Sequence, residues 1–171
     1  MDRRAHIKKL MALGAASVAP AALWAGTERS EKAAVKSERA FGYKRSVSHW
    51  TVEDLDWDDL CGWLVQEGVE AVDLVGPENW HHLKKHRLDS SMYNGAELNL
   101  VDGFIHEEFE GVLHERYRAM IPRVAKAGYE NLICFSGNRR GLREEEGLEQ
   151  AVKALQPMVA LAEEHGVVLQ M

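Results

Sequence analysis

The sequence predicts an α/β fold, an incomplete (β/α)8 TIM barrel of about four β/α units plus the start of strand five. Three observations predict it. From residue 44 onward, short apolar runs of strand length alternate with longer stretches carrying a helical apolar stripe. A cassette of helix-ending glycine, short turn and strand recurs. It reads Gly68-Val69-Glu70-Ala71-Val72, then Gly128-Tyr129-Glu130-Asn131-Leu132, and more loosely Gly166-Val167-Val168-Leu169. The first copy runs eight residues past its glycine to Gly76 and the second nine to Gly137, whereas the third reaches only five, to Met171. Gly68 and Gly128 lie 60 residues apart, the length of two β/α units of about 30 residues each. Residues 44–171 number 128 against about 250 for a full barrel, so they are expected to form its N-terminal half. The alternative is a small doubly wound domain of flavodoxin type. It needs a helix after its fifth strand and a Gly-rich phosphate loop after its first, and neither can be read here.

The elements follow in order. Residues 1–25 read as an export signal: Arg3-Arg4 and Lys8-Lys9, an Ala-rich apolar run from Leu10, and a small-residue end at Leu23-Trp24-Ala25. The arginine pair points to the twin-arginine type and a periplasmic location, with a Sec signal or an amphipathic anchor as the alternatives. No stretch of eighteen apolar residues suggests a transmembrane segment. Residues 26–43 are polar and aperiodic and read as a linker. Ser46 to Trp50 is the first strand. Asp56 caps a helix with Leu60, Trp63 and Leu64 on one face, ended by Gly68. Ala71 to Val75 is the second strand, and Pro77 opens a helix in which Trp80 and Leu83 face inward. A weaker strand is expected around Met92-Tyr93. A long helix carries Phe109, Val112, Leu113, Tyr117, Met120, Ile121 and Val124 on its buried stripe, with a kink expected at Pro122. Leu132 to Phe135 is a buried strand. The last helix is expected to bury Leu148, Val152, Leu155, Val159 and Ala162, and Val167 starts another strand. Cys61 and Cys134 lack metal-site spacing and read as buried core thiols.

Charge bounds the partners. The chain carries a net −6; residues 1–25 hold four basic and one acidic side chains, which leaves −9 for the rest. An acidic body argues against nucleic acid, which needs an electropositive face.

In a barrel of this kind the active site lies at the C-terminal ends of the strands. That rule selects His49-Trp50, Asp73 and Gly76, Glu97, and Ser136-Gly137-Asn138-Arg139. His49, Asn138 and Arg139 are the substrate-binding candidates. Arg139 offers a planar fork to a carboxylate or phosphate, or else pairs with Glu144 to Glu146. Asn138 orients a substrate hydroxyl or holds the turn. His49 lines the pocket or is a satisfied rim histidine, and Asp73 is expected to point into the barrel as part of a buried polar layer. His82 and His86 have the i, i+4 spacing of zinc ligands, but on a Lys-rich helix without a nearby acid they read as a solvated face. His106-Glu107-Glu108-Phe109-Glu110 lacks the second histidine of a zinc-protease helix. Trp57, Trp63 and Trp80 fit helix–sheet packing better than a stacking platform.

The segment Ile133-Cys134-Phe135-Ser136-Gly137-Asn138-Arg139-Arg140-Gly141 resembles the hydroxypyruvate isomerase-like branch of the xylose isomerase-like barrels, in which a strand ending Phe-Ser-Gly-Asn-Arg precedes an acidic helix. The resemblance extends to Met92-Tyr93-Asn94-Gly95, Ala127-Gly128-Tyr129 and His165-Gly166-Val167, and covers residues 44–171. It implies a metal-dependent isomerase or epimerase of sugars or hydroxypyruvate-like keto acids, acting by proton transfer through an enediolate. The divalent metal would be held by carboxylates at the ends of strands five to eight, with the first glutamate expected just past Met171. No catalytic residue and no metal ligand therefore carries over to this chain, which is expected to be inactive and to self-associate when expressed alone. A non-catalytic periplasmic barrel that binds a sugar or polyol is the alternative. A zinc endonuclease of the same superfamily is disfavoured by the −9 body.

Overall fold

In the computed structural model the described residues are 43–171. The expected export signal, and the expected linker apart from Tyr43, lie outside them.

Five parallel strand positions form one curved wall, with four helices on its outer side. β1 (Ser46–Ser48) pairs with β2 (Ala71–Asp73), Val47 opposite Val72. β3 (Asn131–Ile133) pairs with β4 (Val168–Gln170), Leu132 opposite Leu169. The segment Asp89–Tyr93 joins the two pairs through parallel bridges at Ala71↔Asp89, Val75↔Tyr93 and Tyr93↔Leu132. Its backbone accepts from Val72 N (2.9 Å) and Leu74 N (2.8 Å) on one side and from Ile133 N (2.9 Å) on the other. The expected weak third strand is thus present in place but not regular: Asp89 and Ser90 spend side-chain groups on local backbone bonds, and Ser91 gives its N–H to the Asp73 side chain instead of the ladder. Parallel neighbours need a crossover between them, and here helices supply it.

Four helices cover the wall: α1 (Trp57–Gln66), α2 (Trp80–His86), α3 (Glu107–Lys126) and α4 (Glu144–Glu164). α1 starts where expected, with Asp56 accepting from Asp58 N (2.9 Å) and Asp59 N (3.1 Å). A cap of this kind contributes about 1 kcal/mol. Gly68 follows α1 at φ 69°, a left-handed position that closes the helix onto the β2 turn. α2 begins at Trp80 rather than at Pro77, because Gly76 to Asn79 first make a turn, Asn79 N donating to Gly76 O (3.0 Å). α3 runs through Pro122 to Lys126 without ending there.

The core lies between wall and helices. Val72, Val75, Tyr93, Leu132 and Cys134 face Leu60, Leu64, Leu83, Leu113, Tyr117 and Ile121, all buried. Burial pushes both free thiols, Cys61 and Cys134, up to about 11, as expected of inert core cysteines. Trp80 is a packing residue as expected, its Nε1 donating to Val75 O (2.9 Å) with Tyr93 and Tyr129 edge-on to its ring. Two expectations fail. Val112 of α3 is exposed, and α4 buries Gly147, Ala151, Ala154, Met158 and Ala162 while Leu148, Val152 and Val159 face solvent. The reason is the close approach of α4 to α3: Gly147 packs on Ile105, and His114 Nε2 lies 2.7 Å from Ala154 O. Apart from Met158, the buried residues of α4 are small.

Candidate functional site at the C-terminal strand ends

The C-terminal ends of all five strand positions open on one edge of the wall, where the barrel rule places function. β1 gives way at once to a 3-10 turn, His49–Thr51. His49 is half-buried and its ring stacks on Trp57 (centroids 4.2 Å apart, planes 16° apart). Burial lowers its pKa, with Glu53 and Glu78 pulling the other way. The Glu78 carboxylate lies directly over Gly76, where any side chain would collide with it.

Asp73 is buried as expected and fully used. It accepts from Ser91 N (2.6 Å) and Ser90 Oγ (3.3 Å), tying β2 to the third strand position. Glu97 folds back to accept from Gly95 N (2.8 Å) and Ala96 N (3.1 Å). Both carboxylates are structural, which answers the question left open for them by sequence.

The Phe135–Arg139 motif has a different first role from the one its sequence suggests. The loop before α3 lies along it: Phe104 N donates to Phe135 O (3.2 Å), Ile105 N to Ser136 O (2.9 Å), and Asn138 N to Val101 O (2.7 Å). Gly103 and Gly137 cross here, Gly137 at φ 97°, so closely that a Cβ on either would strike the other's backbone. The buried imidazole of His106 closes the strip, its Nε2 2.8 Å from Asn138 O. Asn138 holds the turn, Oδ1 accepting from Arg140 N (3.0 Å). Arg140 pairs with Asp102 and lies over the Phe109 ring. Glu145 and Glu146 go to Arg143, not to Arg139 as one expectation had it. Among the described residues Arg139 is exposed and makes no ion pair, so its guanidinium remains available at the rim. His49 stands at the first strand position and Asn138 and Arg139 at the fourth, with no hydrogen bond joining the two groups.

Two residues were missed by sequence. The Asn94 side-chain oxygen, just past the third strand position, is buried without a partner among the described residues. Asp58, on the first turn of α1, lies 3.1 Å from both His82 Nδ1 and His86 Nε2 and takes Lys85 Nζ as well. This corrects the reading of His82 and His86 as a solvated pair without an acid: both are half-buried and share one carboxylate, which those partners, Lys85 foremost, hold well below the usual carboxylate range. Trp57 packs against the core as expected, and its ring also lies between two imidazoles, His82 being nearly parallel to it (10°, 5.6 Å). The spacing of Asp58 from the histidines, 24 and 28 residues, gave no local signal.

Among the described residues no group of three His, Cys, Asp or Glu side chains could hold a metal ion. The residues present therefore do not fit the divalent metal that the resemblance implies. A cavity of about 510 Å3 lined by Lys44, Arg45, Asp89, Ser90 and Tyr129 lies at the opposite, N-terminal ends of the strands, away from this edge.

No family model and no curated protein matches the sequence. Solved structures do match. An AP endonuclease, family 2, from Brucella melitensis superposes with a TM-score of 0.59 at 14% identity, over 74% of this chain and 54% of the other. The IOLI protein, with a binding zinc atom, gives 0.56 at 13%, over 74% and 50%. A 3-keto-D-glucoside 4-epimerase from E. coli gives 0.53 at 13%, over 74% and 55%. The likeness is one of fold: the chain has the α/β arrangement of an incomplete TIM barrel. Within that fold this chain spans about half the length of the structures it matches. Because an endonuclease and an epimerase share the barrel, fold does not separate nucleic acid from sugar as ligand; that distinction rests on charge and on the rim.

Proposed function

We propose that this chain is the substrate-rim half of an exported isomerase or epimerase of sugars or hydroxypyruvate-like keto acids. The observation that carries the reading is the rim itself: Arg139 at the fourth strand end, exposed and without an ion pair among the described residues, and a half-buried His49 at the first, its pKa lowered by burial. A guanidinium fork suits a carboxylate or phosphate, and a neutral imidazole both donates to and accepts from a hydroxyl. The 3-keto-D-glucoside 4-epimerase neighbour supports a carbohydrate-type ligand by fold alone. In this reading proton transfer between adjacent carbons belongs to carboxylates on later β/α units, and a divalent metal held there supplies polarisation of the carbonyl and hydroxyl oxygens. The described residues bind and orient. Residues 1–25, by their arginine pair and apolar run, support export to the periplasm.

The coding sequence past Met171 is the direct test. A glutamate within about six residues of the strand-five end is expected, and its absence sinks the isomerase reading. Isotope exchange of a C3 proton of hydroxypyruvate or D-fructose, on the hydroxyl-bearing carbon next to the C2 carbonyl, by the complete protein, with and without added Mn2+, is expected to be metal-dependent.

A second reading, a periplasmic polyol-binding barrel without catalysis, is favoured by one observation. Asp73, Glu97 and Asn138 are all spent on internal hydrogen bonds, which leaves a rim that can hold a ligand but does no chemistry itself. It predicts polyol binding by the complete protein with no metal retained after purification.

A further inference from the structure

We infer that Trp57, His82 and Asp58 are positioning residues for the rim, setting the ring plane that His49 presents at the end of β1. The inference rests on the reading of that edge as a ligand mouth. It starts from what holds His49. Among the described residues no side-chain hydrogen bond holds its ring; the ring contact that sets its plane is the face of Trp57. An imidazole held only by stacking keeps its plane no better than the ring beneath it.

Trp57 is in turn fixed twice. Its backbone is the first residue of α1, directly after the Asp56 cap. Its ring lies nearly parallel to His82. His82 cannot rotate freely, because its Nδ1 is bonded to Asp58 Oδ1. Asp58 is immobilised by two further partners, His86 Nε2 on the same oxygen and Lys85 Nζ on the other. His81 packs against the far histidine at 3.9 Å. The row therefore runs from a charged anchor between two outer helices, through two aromatic planes, to a ring at the mouth. Since the carboxylate only accepts, each histidine must present an N–H to it, which also assigns the His82 proton to Nδ1. The chemical consequence is that His49 is kept partly out of water, which favours the uncharged ring, whose unprotonated nitrogen can accept from a ligand hydroxyl. The groups facing it are Glu53 and Glu78 on the rim side and, through Trp57, His82 and Asp58 on the helix side.

Histidine-labelled full chain, followed by NMR through a pH titration, tests this. In His82→Ala and in Asp58→Asn the His49 ring signals are expected to move, and its titration midpoint to rise toward the ordinary imidazole value as the stack loosens and water enters. Trp57→Leu is expected to produce the largest rise. His82→Phe, which keeps a flat ring without the Asp58 bond, is expected to recover part of the shift. If His49 signals and midpoint match the parent in a folded Asp58→Asn and a folded His82→Ala, the positioning role is overturned. Asp58→Asn preserves shape, so it reads the relation even where His82→Ala does not fold. The mouth reading is checked apart, by adding D-fructose to the parent chain. If sugar leaves His49 unmoved while Asp58→Asn still shifts it, the mouth reading fails and the positioning relation stands.

Discussion

α3 and α4 are near twins in sequence terms and opposites in packing. Each is about twenty residues long, opens on three acidic residues and carries an internal proline, Pro122 or Pro157. α3 buries its large apolar stripe: Leu113, Tyr117, Met120, Ile121 and Val124 lie against the wall, and Tyr117 Oη donates to Ile133 O (2.8 Å). α4 buries small residues instead and leaves Leu148 64%, Val152 59% and Val159 40% exposed. At about 100° per residue, its buried arc and its exposed apolar arc lie side by side, roughly a quarter-turn apart. α4 has α3 on one flank, and among the described residues nothing covers the other. The difference teaches that apolar periodicity reports every surface a helix is built to bury, not the one it buries here.

The largest contrast is in stability. Ile121→Ala in α3 empties a fully buried site and is expected to cost about 2–5 kcal/mol by urea denaturation. Leu148→Ala in α4 is expected to change stability by no more than about 0.5 kcal/mol. Equal losses at the two positions would break the comparison.

Much of the fold was legible because it is local. The Asp56 cap, the Gly68 and Gly128 helix ends and the buried Leu132-Ile133-Cys134 run each announce themselves within a few residues. The failures are all long-range. α4 turns by a quarter because Gly147 and Ala154 meet Ile105 and His114, partners no window on α4 contains. The Phe135–Arg139 motif looked like a ligand loop, yet Val101, Phe104 and Ile105 claim its backbone from some thirty residues upstream. Asp58 gave no signal in sequence, because its histidines arrive from another helix. Of the site, the edge, the position of His49 and the inward Asp73 could be read from repeat and rule, whereas the turn that Asn138 holds through Arg140 N and the exposed Arg139 beside it could not be told apart from sequence.

The seam offers a smaller test. Ala154→Leu forces a larger side chain into the α3–α4 contact and is expected to destabilise by about 1–3 kcal/mol. If it is neutral, the small residues of α4 are tolerated there rather than required. His114→Ala removes the bond from His114 to the Ala154 carbonyl across the same seam and is expected to cost about 1 kcal/mol. The two sites meet at Ala154, so their effects are expected to be non-additive, and simple addition in the double variant would show that the seam is not one packed unit.

The smallest expected effect on stability comes with the clearest effect on solution state. Leu148→Lys, Val152→Glu and Val159→Lys together polarise the bare stripe of α4 without touching its seam. The triple variant is expected to melt within a few degrees of the parent while losing concentration-dependent self-association in sedimentation velocity. An exposed apolar stripe of this length is a recognised route to association. β4 offers a second route, since its far side shows unpaired backbone groups among the described residues. A triple variant that still associates would assign self-association to that strand edge. Loss of association would assign it to the helix, and would mark the face of α4 that α3 does not fill as built for a further layer.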